Sequence, residues 1–112
     1  QMLRAIFGTE TKAKILLFLY SSRESYPTEI ASTLGLYLNT VQNQLLNMEK
    51  DGLLYSRARG KVRLFGINPR YPFRKELEAL LEKALAFISE EEKKIYFRRL
   101  RPRRSGKPLS VS

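Results

Sequence analysis

The sequence contains no cysteine and no histidine, and its only aspartate is Asp51. Without cysteine there can be no disulfide, thiolate metal site or thiol nucleophile. Without histidine the commonest general base and the imidazole metal ligand are missing too. Most enzyme chemistry is hard to build from what remains, so no catalytic residue, metal or cofactor is expected. No apolar run reaches the roughly 18–20 residues that span a bilayer. The start, Gln1-Met2-Leu3-Arg4, lacks the layout of a secretory signal. The expected setting is reducing and cytoplasmic, with no membrane partner.

What is present is basic charge. The chain has 112 residues, 43% of them hydrophobic, which suits one domain with one modest core and leaves room for an oligomer. Lys and Arg number 21 against 11 Asp and Glu, a formal net charge of +10. Such a surplus on a small domain points to a polyanion, nucleic acid or an anionic membrane surface. The charge is also uneven. Residues 1–52 hold five basic and five acidic groups, whereas 53–75 hold seven basic and none acidic. Residues 76–97 are net acidic, and 98–112 carry six basic groups and no acid. A merely solubilising surface would mix the signs.

Apolar periodicity predicts a helix from Glu10 to Ser21, with Ala13, Leu16, Leu17 and Tyr20 on one face and Thr9 as N-cap. Leu3, Ile6 and Phe7 ahead of it suit a short extra helix or an arm. A second helix is expected from about Pro27 to Leu34, with proline in its first turn and Gly35 as its stop. A third runs from about Leu38 to Asp51, its buried stripe being Val41, Leu45 and Met48. Asn39, Thr40, Gln42, Asn43 and Asn47 fall mostly on the other face. Two β-prone runs flank Arg59-Gly60 and read as a hairpin. Asn68-Pro69-Arg70-Tyr71-Pro72 is a stiff connector. Phe73, Leu77, Leu80, Leu81, Ala84, Leu85 and Ile88 then make a helical stripe. Ser89 with Glu92 fits a capping box, so the helix either restarts near residue 90 or continues with a kink to about Leu100. The predicted class is mainly α with a small β-hairpin.

The second and third helices are joined only by Gly35-Leu36-Tyr37, a helix-turn-helix spacing. The second helix of such a pair can enter a DNA major groove. The hairpin after it carries Arg57, Arg59, Lys61 and Arg63, placed to meet phosphates or an adjacent minor groove.

The run Thr28-Glu29-Ile30-Ala31, Leu34-Gly35-Leu36, Thr40-Val41, Leu45, Met48-Glu49 and Gly52-Leu53-Leu54 resembles the winged helix-turn-helix of ArsR- and MarR-type regulators. The resemblance covers roughly residues 10–67. The stretch from Asn68 to Leu77 is similar to an ArsR-like subgroup whose winged helix precedes, or is encoded with, a nucleotidyltransferase. The resemblance implies a cytoplasmic, homodimeric DNA-binding transcriptional regulator of repressor type. It implies that Tyr37, Leu38, Asn39, Thr40, Gln42, Asn43 and Asn47 face the major groove, Gln44 and Asn47 nearer its edge. Thr28, Arg57, Arg59, Lys61 and Arg63 would grip the backbone. Tyr37 stands where the family often has a Ser or Thr N-cap. The third helix has no basic residue before Lys50, so phosphate affinity would rest on hairpin and tail and base reading on amides. Metal-sensing members use Cys, His and Asp ligands, which this chain lacks.

The implied layout is a winged helix-turn-helix over 1–67, a C-terminal helical dimerisation extension over 68–100 and a flexible basic tail over 101–112. The dimer interface is expected at Leu16, Tyr20, Phe73, Leu77, Leu80, Leu81, Ala84 and Ile88. Each assignment has a plainer counterpart. The 73–88 stripe can fold back on its own core, and the polar face of the third helix can be solvated surface. The hairpin cations can simply guard an edge strand against aggregation. Glu90-Glu91-Glu92 reads as compensation of a helix N-terminus rather than a catalytic pair. The tail can track DNA or be a solvated end. Two other functions stay open: a protein-interaction module pairing with a separately encoded nucleotidyltransferase, and RNA binding, for which the hairpin lacks stacking aromatics.

Overall fold

The computed structural model describes residues 3–97. In chain order it has α1 (Arg4–Phe7), α2 (Glu10–Ser22), α3 (Pro27–Leu34), α4 (Leu38–Lys50), β1 (Leu54–Arg59), β2 (Val62–Ile67), α5 (Arg74–Phe87) and α6 (Glu90–Phe97). The expected basic tail over 101–112, and the end of the extension at 98–100, lie outside the described residues. Among those described, no helix is long and apolar enough to cross a membrane.

Local chemistry sets the boundaries. Thr9 caps α2, its hydroxyl accepting from the Lys12 amide at 3.1 Å. Ser89 does the same for α6, accepting from the Glu92 amide at 3.1 Å. Between α5 and α6, Ile88 is extended, so the helix restarts rather than continuing with a kink. α4 begins at Tyr37, whose side chain makes no capping bond. The hairpin turns on two residues, because Arg59 pairs with Val62. Gly60 takes a positive φ of 61° and Lys61 does not, the pattern of a type II′ turn with glycine in first place.

α2 is the hub. The apolar spacing predicts one inward face, Ala13, Leu16, Leu17 and Tyr20, but Ala13, Ile15, Leu16, Leu17, Phe18 and Leu19 are all buried and Tyr20 is half-buried. A helix apolar all round must be covered all round. α3, α4 and β2 cover part of it, and α5 and α6 cover the rest. One continuous core therefore runs from Ile30, Val41 and Leu45 to Leu77, Leu81, Leu85 and Tyr96. Burial of the Tyr96 ring, with the Glu92 and Glu10 carboxylates as lesser causes, raises its phenol pKa.

The corner between α2 and α3 is strained. Arg23 has φ 76° and ψ −55°, and the Glu24 amide donates to the Ser22 carbonyl at 2.9 Å. This is a γ-turn of the rare positive-φ kind. Directly after it, Ser25 pairs with Phe65 through two backbone hydrogen bonds, at 3.1 and 2.8 Å. That one residue extends the hairpin sheet on the far side of β2. The Ser25 hydroxyl also donates to the Glu29 carboxylate in the first turn of α3.

Candidate nucleic-acid interface

The outward side of α4 is set by its buried one. Val41, Leu45 and Met48 are buried, and the opposite side exposes Asn39, Thr40, Gln42, Asn43, Leu46, Asn47 and Lys50. Tyr37 and Leu38 are exposed at the entry to the helix, Tyr37 at 85%. Thr28 is exposed in the first turn of α3, while Gln44 is only partly so. The side chains of Asn39, Gln42, Asn43 and Asn47 make no hydrogen bond to any described residue. Each amide keeps a donor and an acceptor for another molecule.

The hairpin splits its cations by strand parity. Residues directly opposite in an antiparallel pair share a face. Tyr55, Arg57 and Arg59 share one face with Gly66, Leu64 and Val62; Ser56 and Ala58 share the other with Phe65 and Arg63. On that second face Arg63 donates to the Ser56 hydroxyl at 3.3 Å. Ser56 in turn donates to the Glu49 carboxylate of α4. Arg63 thus lies on the side of the hairpin that is tied to α4.

On the first face Arg57 is already occupied. Its Nε and Nη2 donate to the two Glu24 carboxylate oxygens at 2.9 and 2.8 Å. The Tyr55 hydroxyl donates to the same carboxylate. Arg57, expected to grip the DNA backbone, thus spends two of its donors on holding the hairpin to the corner after α2 while its side chain stays half exposed. The bonds from Arg57 and then Tyr55 hold the Glu24 carboxyl well below its usual range, at about 2. Burial and the Glu24 carboxylate push the Tyr55 phenol up to about 12. Gly66 makes room for this arrangement, since a Cβ there would come within 2.7–2.8 Å of the Tyr55 ring end. Arg59, Lys61 and Arg63 are exposed, and none has an acidic ion-pair partner among the described residues.

Solved structures share this arrangement, two of them transcriptional regulators by name. The antimony-specific transcriptional repressor AntR matches with a TM-score of 0.62 and 23% identity, over 82% of this chain and 78% of that one. MepR, a transcription regulator of the Staphylococcus aureus multidrug efflux pump MepA, matches with a TM-score of 0.55 and 22% identity, over 89% and 80%. Lactococcus lactis ZitR, as an apo double mutant, matches with a TM-score of 0.56 and 24% identity, over 88% and 83%. The fold is a winged helix-turn-helix. No family model matches the sequence, and neither does any curated protein. In this fold α3 and α4 are the helix-turn-helix, the hairpin is the wing, and Ser25 supplies the third strand of the small sheet.

The residues expected at a dimer interface divide into two groups. Leu16 and Leu81 have 0% exposure, and Leu77 and Ala84 are nearly as buried. These four lie inside the protomer's own core, so the fold-back alternative holds for that half of the stripe. Tyr20, Leu80 and Ile88 are half-buried, and Phe73 is 62% exposed. Burial and then the Glu82 and Glu78 carboxylates raise the Tyr20 phenol pKa. Phe73 stacks edge-on against Tyr71, with ring centroids 5.7 Å apart. With Ile6, Phe7, Leu53 and Leu80 these rings line an open, mainly apolar groove between α1, α4 and α5.

Three residues of the candidate site were not expected from the sequence: Leu46 on the outward side of α4, and Glu24 with Tyr55 at the base of the hairpin. Leu46 falls on the same helical wheel as Asn39 and Asn43, and phasing alone could have found it. Glu24 and Tyr55 could not be found that way, because their contact spans 31 positions.

Proposed function

We propose that this chain is a sequence-reading, duplex-DNA-binding transcriptional regulator that acts as a homodimer and is not an enzyme. One observation carries the reading: α4 presents unbonded amides beside a wing whose three remaining cations lack acidic partners. A major groove is wide enough for one helix, and Asn or Gln can make two hydrogen bonds to adenine. Asn39, Thr40, Gln42 and Asn43 read base edges, with Asn47 at the margin. Arg59, Lys61 and Arg63 hold phosphates, with Thr28 and Tyr37 at the backbone on the helix side.

The dimer rests on Phe73, Leu80 and Ile88, together with Ile6 of α1. A second copy seated on this apolar groove would bury it by two-fold symmetry and present two α4 helices to two half-sites. Such a dimer works with the cytoplasmic setting expected from the sequence.

The test is binding of labelled duplexes selected from a random pool, with sedimentation of the free protein. Asn43→Ala should relax preference at one base by about 1–3 kcal/mol. Arg59→Ala with Lys61→Ala should weaken binding to all sequences alike. Unchanged affinity and salt dependence in that double variant would remove the wing assignment. Failure to shift any duplex at low salt would turn the reading toward a docking module for a nucleotidyltransferase.

A further inference from the structure

The outward row of α4 has a composition that the amides alone do not describe. Asn39, Asn43, Leu46 and Lys50 recur at i, i+4, i+7 and i+11, so they lie along one line of the helix. That line is opposite the buried Val41, Leu45 and Met48. Leu46 is 54% exposed in the middle of it. A leucine at this position gains nothing from the protomer's core, which is on the other side. It also interrupts what is otherwise a polar surface of amides, a threonine and a lysine.

The row contains no Arg, Asp or Glu, and its only cation is Lys50 at the last position of the helix. Of the two acids that flank Lys50, Glu49 is turned toward Ser56 of the wing and Asp51 lies past the last turn, at the C-cap. This composition excludes the commonest guanine contact, a bidentate Arg or Lys on O6 and N7, from the first three turns. It also excludes acceptance from cytosine N4 by a carboxylate. What remains are amides, whose donor and acceptor match adenine N6 and N7, and one branched apolar side chain. The apolar feature of the major groove is the thymine C5 methyl.

We infer that Leu46 is a specificity-determining residue that packs on a thymine methyl, and that the α4 row reads an A·T-rich half-site. The inference rests on the proposed entry of α4 into the major groove. Asn39 and Asn43 take adenines, Leu46 takes a thymine, and Lys50 closes the row on a phosphate.

Replacing thymine by deoxyuridine removes only the methyl group, which makes the contact separable from the rest of the base. Duplexes selected by the wild-type chain from a random pool would be resynthesised with deoxyuridine at each thymine in turn. One position per half-site should cost wild type about fourfold in affinity, the worth of one buried methyl-sized group. Leu46→Ala and Leu46→Gln should bind the thymine and deoxyuridine versions of that site equally. Because Leu46 is exposed and off the core, both variants should melt with wild type. A guanine- or cytosine-rich consensus would overturn the inference, as would a deoxyuridine penalty that persists in Leu46→Ala. Tight binding with no consensus would overturn it as well. Failure to bind any duplex at low salt would instead strike the proposed function from which it starts.

Discussion

Counting ions released on binding would separate the wing's working cations from its structural one. Each phosphate neutralised on duplex DNA contributes about −0.9 to the slope of log K against log salt. Three wing cations stand without an acidic partner, and the fourth, Arg57, is clamped by Glu24. Removing Arg59, Lys61 and Arg63 together should flatten the slope by about 2.7; removing Arg57 as well should add nothing, whereas a working Arg57 would bring the loss to about 3.6. The decisive variant is Glu24→Gln with Arg57→Gln, which removes one charge of each sign. Its slope should match wild type. Glu24→Gln alone releases the Arg57 guanidinium and should steepen the slope by up to about 0.9. Fluorescence anisotropy of one labelled duplex between about 50 and 200 mM salt covers the range where such differences are large. If the double variant loses about 0.9 and Glu24→Gln changes nothing, Arg57 is a phosphate contact and the clamp is incidental.

Other outcomes follow from the same corner of the molecule. Gly66→Ala should push the Tyr55 ring aside and cost about 1–2 kcal/mol in chemical denaturation, chiefly the lost charge-assisted bond to Glu24. Arg23→Gly should raise stability by about 0.5–1 kcal/mol, because glycine adopts a positive φ without a Cβ penalty; a loss of stability would show that the arginine side chain repays its strain. Glu24 has its pKa depressed on folding, so its contribution is complete above about 4.5 and disappears as pH falls toward about 2. Tyr55 is shifted the other way, so its contribution is complete below 10 and fades as pH rises toward about 12. Denaturation of Glu24→Gln should show a weaker loss between pH 4.5 and 2 than wild type does.

The elements were legible because their signals are local. Thr9, Pro27, Gly35, Gly60 and Ser89 each act on their own turn, and every one sits at the boundary its chemistry implies. The inward stripe of α4 was equally plain from spacing. The surroundings of α2 were not, because Ile15, Phe18 and Leu19 are covered by elements up to 80 residues away along the chain. Spacing said which residues of α2 and α5 are apolar, but not whether each other or a second copy covers them. The Glu24 partner of Arg57 was hidden for the same reason. Nothing near Arg57 in sequence is acidic, and its partner arrives from the α2–α3 corner by way of a γ-turn.

That corner joins four tasks in three consecutive residues. Arg23 ends a helix, Glu24 ties down the wing, and Ser25 both adds a strand and steadies the next helix. An extra residue anywhere in this stretch would throw the carboxylate, the strand pairing and the α3 entry out of phase together. Among natural variants the spacing here should consequently be conserved more strictly than the residues themselves, with length changes accepted elsewhere before they are accepted at this joint.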